Sequence, residues 1–189
     1  MFNESVVERF LAAVANDPKQ IAIQSVNGNK AISYQDLSMR ASTYAKALEA
    51  LPKPARIAAL IDDKIEMAAC LLGCHLAQAI FIPVDARTTQ GIQAGCSLVT
   101  PHAIVFDNSD LAKLLNDIQD FGEAIHIDEL GDDHLIDFNL PSLDDPAVML
   151  FTSGTTSTRK AVVLSHRAFA APSYTITEAM NYDLSLIHI

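Results

Sequence analysis

The chain has 189 residues, and half of them are hydrophobic, which is enough to build one domain around a buried core. It carries 13 Lys and Arg against 23 Asp and Glu, giving a net charge of −10 and a sequence pI of about 4.8. This acidity argues against nonspecific binding to nucleic acids or anionic membranes.

The N-terminus and the cysteines indicate the compartment. Residues 1–18 lack the basic start of a signal peptide, and no apolar run approaches the roughly 20 residues of a membrane span. Cys70 and Cys74 lie one helical turn apart and His75 follows, but their segment is apolar throughout, which favours buried thiols over a metal site. With Cys96, the three cysteines do not form an even disulfide framework. We therefore predict a cytoplasmic protein without a metal site.

The first predicted elements are a helix, a hairpin and a second helix. Apolar residues recur at helical spacing before Pro18, at Val6, Val7, Phe10, Leu11 and Val14. Two short alternating segments then flank Asn27 and Gly28, a strong hairpin turn signal. Ser33 and Asp36 match a capping box with Asp in place of Glu, which predicts a helix reaching about residue 51.

Strands and helices alternate from residue 56 onward. Apolar strands are predicted at 56–61, 80–84, 102–107, 124–128 and 147–152, with helices at 64–79, 90–98 and 111–118. Continuous apolar strands separated by helices are typical of a parallel sheet covered on both faces. The fold prediction is a three-layer α/β domain with a mostly parallel sheet and an N-terminal hairpin. The acidic stretch 131–146 is interpreted as a solvated loop.

The stretch AVMLFTSGTTSTRKAVVLSHRAFA, residues 147–170, predicts an anion-binding loop between two strands. Its Ser, Thr and Gly residues offer hydroxyl and backbone N–H groups, and Arg159 and Lys160 add positive charge. Residues 147–177 contain no Asp or Glu. The loop does not match the P-loop of nucleotide triphosphatases, because Arg159 replaces a required Gly, Ala161 follows the Lys, and a strand follows instead of a helix.

The segment LFTSGTTSTRKAVVLSHR resembles the phosphate-loop signature of the adenylate-forming enzymes, which include acyl-CoA synthetases, peptide-synthetase adenylation domains and luciferases. Two earlier stretches, ISYQDLSMRASTYAKAL and RIAALIDDKIEMAACLLGCHLAQAIFIPVDAR, also look like family motifs in the family's order. The resemblance therefore covers essentially the whole chain.

This resemblance implies an ATP-dependent ligase that converts a carboxylic acid into an acyl-adenylate and then a thioester. It implies ATP with Mg²⁺ as cofactor, and CoA or the phosphopantetheine of a carrier protein as acceptor. Carried over by position, the loop that would hold the β- and γ-phosphates consists of Thr152, Ser153, Gly154, Thr155, Thr156, Ser157, Thr158, Arg159 and Lys160. Lys160 matches the family's lysine and is the predicted catalytic residue.

Three loop positions depart from the family pattern: Ser157 and Ala161 stand where Gly is usual, and Arg159 where Pro is usual. They leave open a second hypothesis, a degenerate adenylation-like domain that serves as a noncatalytic binding or scaffold module. A third, a generic α/β domain with a flexible Ser/Thr turn, requires three ordered motifs to be coincidental.

The family's later motifs have no counterpart in residues 1–189, so we expect a truncated N-terminal AMP-binding domain without a C-terminal domain. The isolated chain is then expected to expose apolar surface and to be inactive alone. We interpret three further polar residues as structural: Asp85 as a turn or cap residue, and His166 and Arg167 as helix-capping or surface residues.

Overall fold

The computed structural model describes residues 3–26, 28–85, 88–131, 134, 138–152 and 160–180, with side chains up to Tyr174. The N-terminal part consists of helix α1 (Val6–Asn16), strands β1 (Ile21–Gln24) and β2 (Ala31–Ser33), and helix α2 (Tyr34–Ala47). The middle part alternates as β3 (Arg56–Leu60), α3 (Lys64–Leu76), β4 (Ile80–Pro83), α4 (Thr89–Val99), β5 (Ala103–Phe106), α5 (Ser109–Leu115) and β6 (Glu123–His126). A 3₁₀ turn (Ile127–Glu129) precedes β7 (Pro146–Thr152), β8 (Lys160–Ser165) and α6 (His166–Met180).

The main sheet has the strand order β6-β5-β3-β4-β7-β8. All neighbouring pairs are parallel except β7 and β8, which are antiparallel. The five strands predicted from residue 56 onward all lie in this sheet, so the α/β fold prediction is confirmed. β8 follows β7 directly in sequence, and it is the strand that makes the sheet mixed.

The predicted hairpin is also confirmed. β1 and β2 pair antiparallel in a two-stranded sheet of their own, with Gln24 opposite Ala31. Gly28 in the connecting turn has a φ of 71°, a left-handed conformation that a residue without Cβ adopts at little cost. Asn27 lies outside the described residues.

Side chains fix the starts of the helices. Ser5 and Glu8 form a full capping box on α1. At α2, the Asp36 backbone N–H donates to Ser33 Oγ at 3.1 Å as predicted, but Ser33 Oγ itself donates to the Asp36 carboxylate. Asp is one methylene shorter than Glu, which accounts for this half-formed box.

Helix α5 differs from its predicted range of 111–118. The Asn108 side chain accepts a hydrogen bond from the Asp110 backbone N–H at 2.9 Å, so the helix begins at Ser109, and it ends at Leu115. The capping residue sets this start, whereas the apolar pattern indicated only the middle of the helix.

Two apolar cores lie on opposite faces of the sheet, which makes three layers. Helices α1, α2, α3 and α6 cover one face, and α4 and α5 cover the other. Successive side chains of β3 are buried on alternate faces of the sheet: Ile57 and Ala59 belong to the first core, and Ala58 and Leu60 to the second. A strand buried on both faces has no polar alternation, as the sequence pattern indicated.

The outer strand pair β7–β8 exposes apolar side chains. Leu150 is 38% exposed and Val162, its partner across the pair, is 42% exposed. Val163 is 52% exposed and points to the other face, because neighbouring strand residues alternate sides. The expected exposed apolar surface is thus present at this edge, on both faces of the sheet.

Candidate functional site

The predicted phosphate loop begins at the last residue of β7 and ends at the first residue of β8, and β8 is the edge strand of the sheet. Thr152 and Lys160 are opposite each other in the antiparallel pairing, and Thr152 Oγ1 donates a hydrogen bond to the Lys160 carbonyl oxygen at 3.4 Å. Both side chains are exposed. The structure therefore brings together the first and last residues of the predicted loop. The predicted binding residues Ser153, Gly154, Thr155, Thr156, Ser157, Thr158 and Arg159 lie outside the described residues.

The β7 strand ends at the carboxyl edge of the sheet, where α/β proteins commonly bind ligands. Phe81 of β4 is the parallel partner of Val148 of β7. Asp85 is exposed and follows the end of β4, whereas the N-cap of the next helix is Thr88. Of the two structural roles considered for Asp85, the structure thus excludes the cap.

Helix α4 supports the end of β7 from one face. The ideal Cβ position at Gly95 lies 3.5 Å from the Phe151 ring, so the helix packs closely beneath the strand. Phe151 and Ala161, which are paired across β7 and β8, both pack against the second core. The residues that flank the loop are therefore held by the sheet and by α4.

Ala161, one of the three departures from the family pattern, lies in regular strand structure. It pairs with Phe151, and it is not among the described residues with positive φ, which are Gln78, Thr100, Asp120 and Gly28. A Gly at this position is thus not required by the backbone conformation. Ser157 and Arg159 are outside the described part, so the same test does not extend to them.

His166 and Arg167 lie at the opposite end of β8 from Lys160. β8 spans six residues, which at the usual rise separates its ends by roughly 17 Å. Arg167 forms an ion pair with Asp144 at 3.1 Å, with both side chains largely exposed.

The predicted helix-capping or surface role of His166 is wrong, because His166 is 2% exposed and the side chain that accepts a backbone N–H at the start of α6, from Ala168, is Ser165. His166 packs against His75 of α3, a contact between residues 91 positions apart that no local pattern could indicate.

A group of three carboxylates, Asp62, Asp63 and Asp107, follows the carboxyl ends of β3 and β5. The Asp107 carboxylate accepts hydrogen bonds from the backbone N–H groups of Asp62 at 2.7 Å and Asp63 at 2.9 Å. Asp63 caps α3 and pairs with Lys30 of the hairpin, whose hydrogen bond lowers the pKa of the Asp63 carboxyl. These contacts join the hairpin, α3 and β5, so we assign them a structural role.

The cysteines are buried thiols, as predicted. Cys70, Cys74 and Cys96 are free and fully buried. Burial raises the pKa of Cys74, and burial together with Asp120 raises the pKa of Cys96 to about 11. Within the described residues, no group of three or more His, Cys, Asp or Glu side chains is arranged to hold a metal ion.

The described helices also include none that is long and apolar enough to cross a membrane.

The described residues form a three-layer α/β domain in which a segment rich in Ser, Thr and Gly joins two paired strands at the edge of the sheet. Residues 10–188 match the AMP-binding enzyme family, and the chain therefore belongs to that family.

Similar proteins include both ligases and peptide synthetases. The fatty acid–[acyl-carrier-protein] ligase MmaC of Mycobacterium marinum is 29% identical over 94% of this chain and 36% of its own length. The hybrid PKS-NRPS synthetase gkaA of Penicillium citrinum is 31% identical over 92% of this chain and 4% of its own length. The chain thus spans about a third of the length of the ligase.

Solved structures share the fold. VinN superimposes with a TM-score of 0.83 at 19% identity, covering 96% of this chain and 48% of that protein. ATP-bound MatB from Rhodopseudomonas palustris gives a TM-score of 0.75 at 26% identity, covering 94% of this chain and 38% of that protein.

Proposed function

We propose that this chain is the N-terminal part of an AMP-forming ligase that activates a carboxylic acid with ATP and transfers the acyl group to a thiol. The observation that carries the proposal is the antiparallel pairing of Thr152 with Lys160 at the ends of the segment TSGTTSTRK, in a chain that belongs to the AMP-binding enzyme family. ATP bound with Mg²⁺ would supply the adenylyl group and release pyrophosphate.

The residues of this chain would act by neutralising the negative charge of the phosphates and by holding them in position. The Lys160 ammonium is exposed at the edge of the sheet, in a stretch without acidic residues, so it is available to a polyphosphate. Thr152 is paired with Lys160 and places a hydroxyl at the same edge, where it donates to the Lys160 carbonyl oxygen at 3.4 Å. Transfer of phosphoryl and nucleotidyl groups depends chiefly on neutralising charge and aligning the reactants, which suits such a loop.

The proposed acceptor is a thiol of CoA or of a carrier-protein phosphopantetheine. The carrier protein is favoured by relatives named as fatty acid–[acyl-carrier-protein] ligases, MmaC and FadD10 of Mycobacterium tuberculosis. Peptide synthetases among the relatives, such as tyrocidine synthase 1 of Brevibacillus parabrevis, are consistent with it. We propose a cytoplasmic location, where ATP and these thiols are available.

The experiment that tests this function is carboxylate-dependent exchange of pyrophosphate into ATP. It is measured with a panel of fatty, aryl and amino acids, both for the 189 residues and for the longest reading frame that contains them. We expect exchange with one acid class in the longer protein and background in the 189 residues, because the carboxylate and the ribose must also be held in line. No exchange by a folded longer protein with any acid would contradict the ligase and support the noncatalytic module.

A further inference from the structure

Two histidines meet in the core between α3 and α6. His75 is completely buried and His166, the first residue of α6, is 2% exposed. Their ring centroids are 4.5 Å apart with the planes at 73°, and Phe169 packs edge-on against His75 at 5.8 Å. The pair therefore forms the contact through which the start of α6 packs on α3.

The pair is poorly provided with hydrogen bonds. In the described part of the chain, Nδ1 of His166 and both ring nitrogens of His75 are buried without a hydrogen bond of good geometry, although the Ala147 backbone lies close enough to the His75 ring to affect its pKa. Burying an unpaired polar atom is unfavourable, and burying a charged imidazolium in the same place is far more so. Two adjacent imidazolium rings would in addition repel each other. The packed arrangement thus requires both rings to be neutral.

Few surrounding groups would stabilise a protonated His75 ring. Burial, together with the neighbouring His166, lowers the pKa of His75 to about 3, opposed only by the nearby Ala147 backbone. Burial also lowers the pKa of His166, and here Asp145, which precedes β7, and Glu8 of α1 oppose the effect. Of the elements packed around the pair, α1 and the turn before β7 thus supply acids that act on His166.

Beyond the pair, α6 also packs on β7 and β8, with Ala170 fully buried, and it makes further contacts with a loop and with α1. At its start, the backbone N–H groups of His166 and Arg167 donate to the carbonyl oxygens of Asp145 and Leu143. Further along, Arg9 of α1 donates to Ser173 Oγ and stacks over the Tyr174 ring at 4.2 Å. Such contacts tie α6 to a loop and to α1, so the histidine pair and Phe169 are what anchor α6 to α3.

We propose that His75 and His166 form a pH-sensitive latch that holds α6 against α3 when both rings are neutral and releases it when they are protonated. A histidine freed into water titrates near pH 6.5, so the released state binds protons that the closed state excludes. The latch is therefore fully closed above about pH 6.5 and weakens as the pH falls below that value. At pH 5, the His75 proton alone favours release by about 30-fold over neutral pH.

Hydrogen exchange of backbone amides, corrected for intrinsic exchange rates, tests the latch at pH 7.5 and pH 5.0. We expect protection in residues 169–174 of α6 to fall at least 30-fold at pH 5.0 and to lie below that of β3, because α6 opens without global unfolding. In His75→Leu the fall should be much smaller, since one titrating ring is replaced by an apolar side chain of similar size. His126→Gln, which changes a partly buried histidine on β6 at the opposite edge of the sheet from β8, should behave as the wild type.

Equal protection of α6 and β3 at both pH values, or the same fall in His75→Leu, would overturn the proposal. If His75→Leu does not fold, the wild-type imidazole resonances replace it as the test. We expect the ring signals of His75 to keep their neutral shifts until α6 is released. Titration of His75 near pH 6.5 with α6 still fully protected would likewise overturn the proposal.

Discussion

Gly73 of α3 lies directly against Tyr44 of α2: a Cβ atom at Gly73 would come within 2.4 Å of the Tyr44 Cβ and 2.7 Å of the Ala41 carbonyl oxygen. The two helices can approach this closely only because Gly73 has no side chain. We expect Gly73→Ala to lower the free energy of unfolding by about 1–3 kcal/mol, since overpacking outweighs the better helix propensity of Ala.

Gly95→Ala is the matched control, because Gly95 is also inside a helix but its Cβ position lies 3.5 Å from the nearest atoms. The expected change there is neutral to about 1 kcal/mol stabilising. Urea denaturation of both variants makes the comparison, and a Gly73→Ala protein as stable as Gly95→Ala would contradict the close packing.

Glu66 joins three parts of the structure. Its carboxylate accepts hydrogen bonds from Arg40 Nε at 2.9 and 3.1 Å and from the Tyr44 hydroxyl at 2.6 Å, while Arg40 also donates to the Ile127 carbonyl oxygen. Burial and the hydrogen bond to Glu66 raise the pKa of the Tyr44 hydroxyl far above its usual value. We expect Tyr44→Phe to cost about 1–2 kcal/mol in unfolding free energy, because it removes a donor from a carboxylate.

Tyr34→Phe provides the comparison, since no hydrogen bond of the Tyr34 hydroxyl occurs within the described residues. Its expected effect is below about 0.5 kcal/mol. Thermal or urea denaturation distinguishes the two variants. A loss in Tyr34→Phe that matches the loss in Tyr44→Phe would assign the effect to packing instead of the Glu66 hydrogen bond.

Lys160 should carry most of the polyphosphate affinity of the proposed loop. We expect Lys160→Ala to weaken binding of Mg²⁺-ATP or pyrophosphate by about 1.5–3 kcal/mol, the scale of a charge-assisted hydrogen bond. Isothermal titration calorimetry measures the change. Lys113→Ala removes an exposed lysine from α5 and should leave the affinity unchanged. Equal affinities in the wild type and Lys160→Ala would remove Lys160 from the proposed site.

Substitution of Arg159 distinguishes a loop that still binds phosphate, with Arg159 as a contact, from a loop that has lost this function. Arg159→Pro restores the usual family residue and removes a guanidinium that can contact phosphate. If Arg159 has been recruited to the phosphates, pyrophosphate exchange in the longest reading frame should fall in the variant. Unchanged or faster exchange would show that the arginine is dispensable.

The three thiols should be unreactive in the folded protein. Cys70, Cys74 and Cys96 are buried, and the pKa of Cys96 is raised to about 11, so little thiolate is available at pH 8. We expect a thiol reagent to label none of them rapidly under native conditions and all three in denaturant. Rapid native labelling of any of them would contradict the described burial.

Several predictions from sequence depended only on local patterns, and these were confirmed. The strand in residues 56–61 is an apolar run that fits burial on both faces, and the hairpin follows from Gly28, whose left-handed φ suits a residue without Cβ. The apolar surroundings of Cys70 and Cys74 likewise indicated their burial. The phosphate-loop residues 153–159 remain a prediction, and of that loop the structure describes the flanking Thr152 and Lys160.

Local sequence patterns were sufficient to predict most elements of this protein, and they predict an anion-binding chemistry for its loop, because helix spacing, turn residues and apolar runs act over a few positions. Three features could be seen only in the tertiary structure: the strand order β6-β5-β3-β4-β7-β8, the close approach of Gly73 to Tyr44, and the burial of His166 against His75. These features join residues 29 to 91 positions apart or set the order of whole strands. They depend on how complete faces pack together, and a local pattern carries no information about the partner of a face.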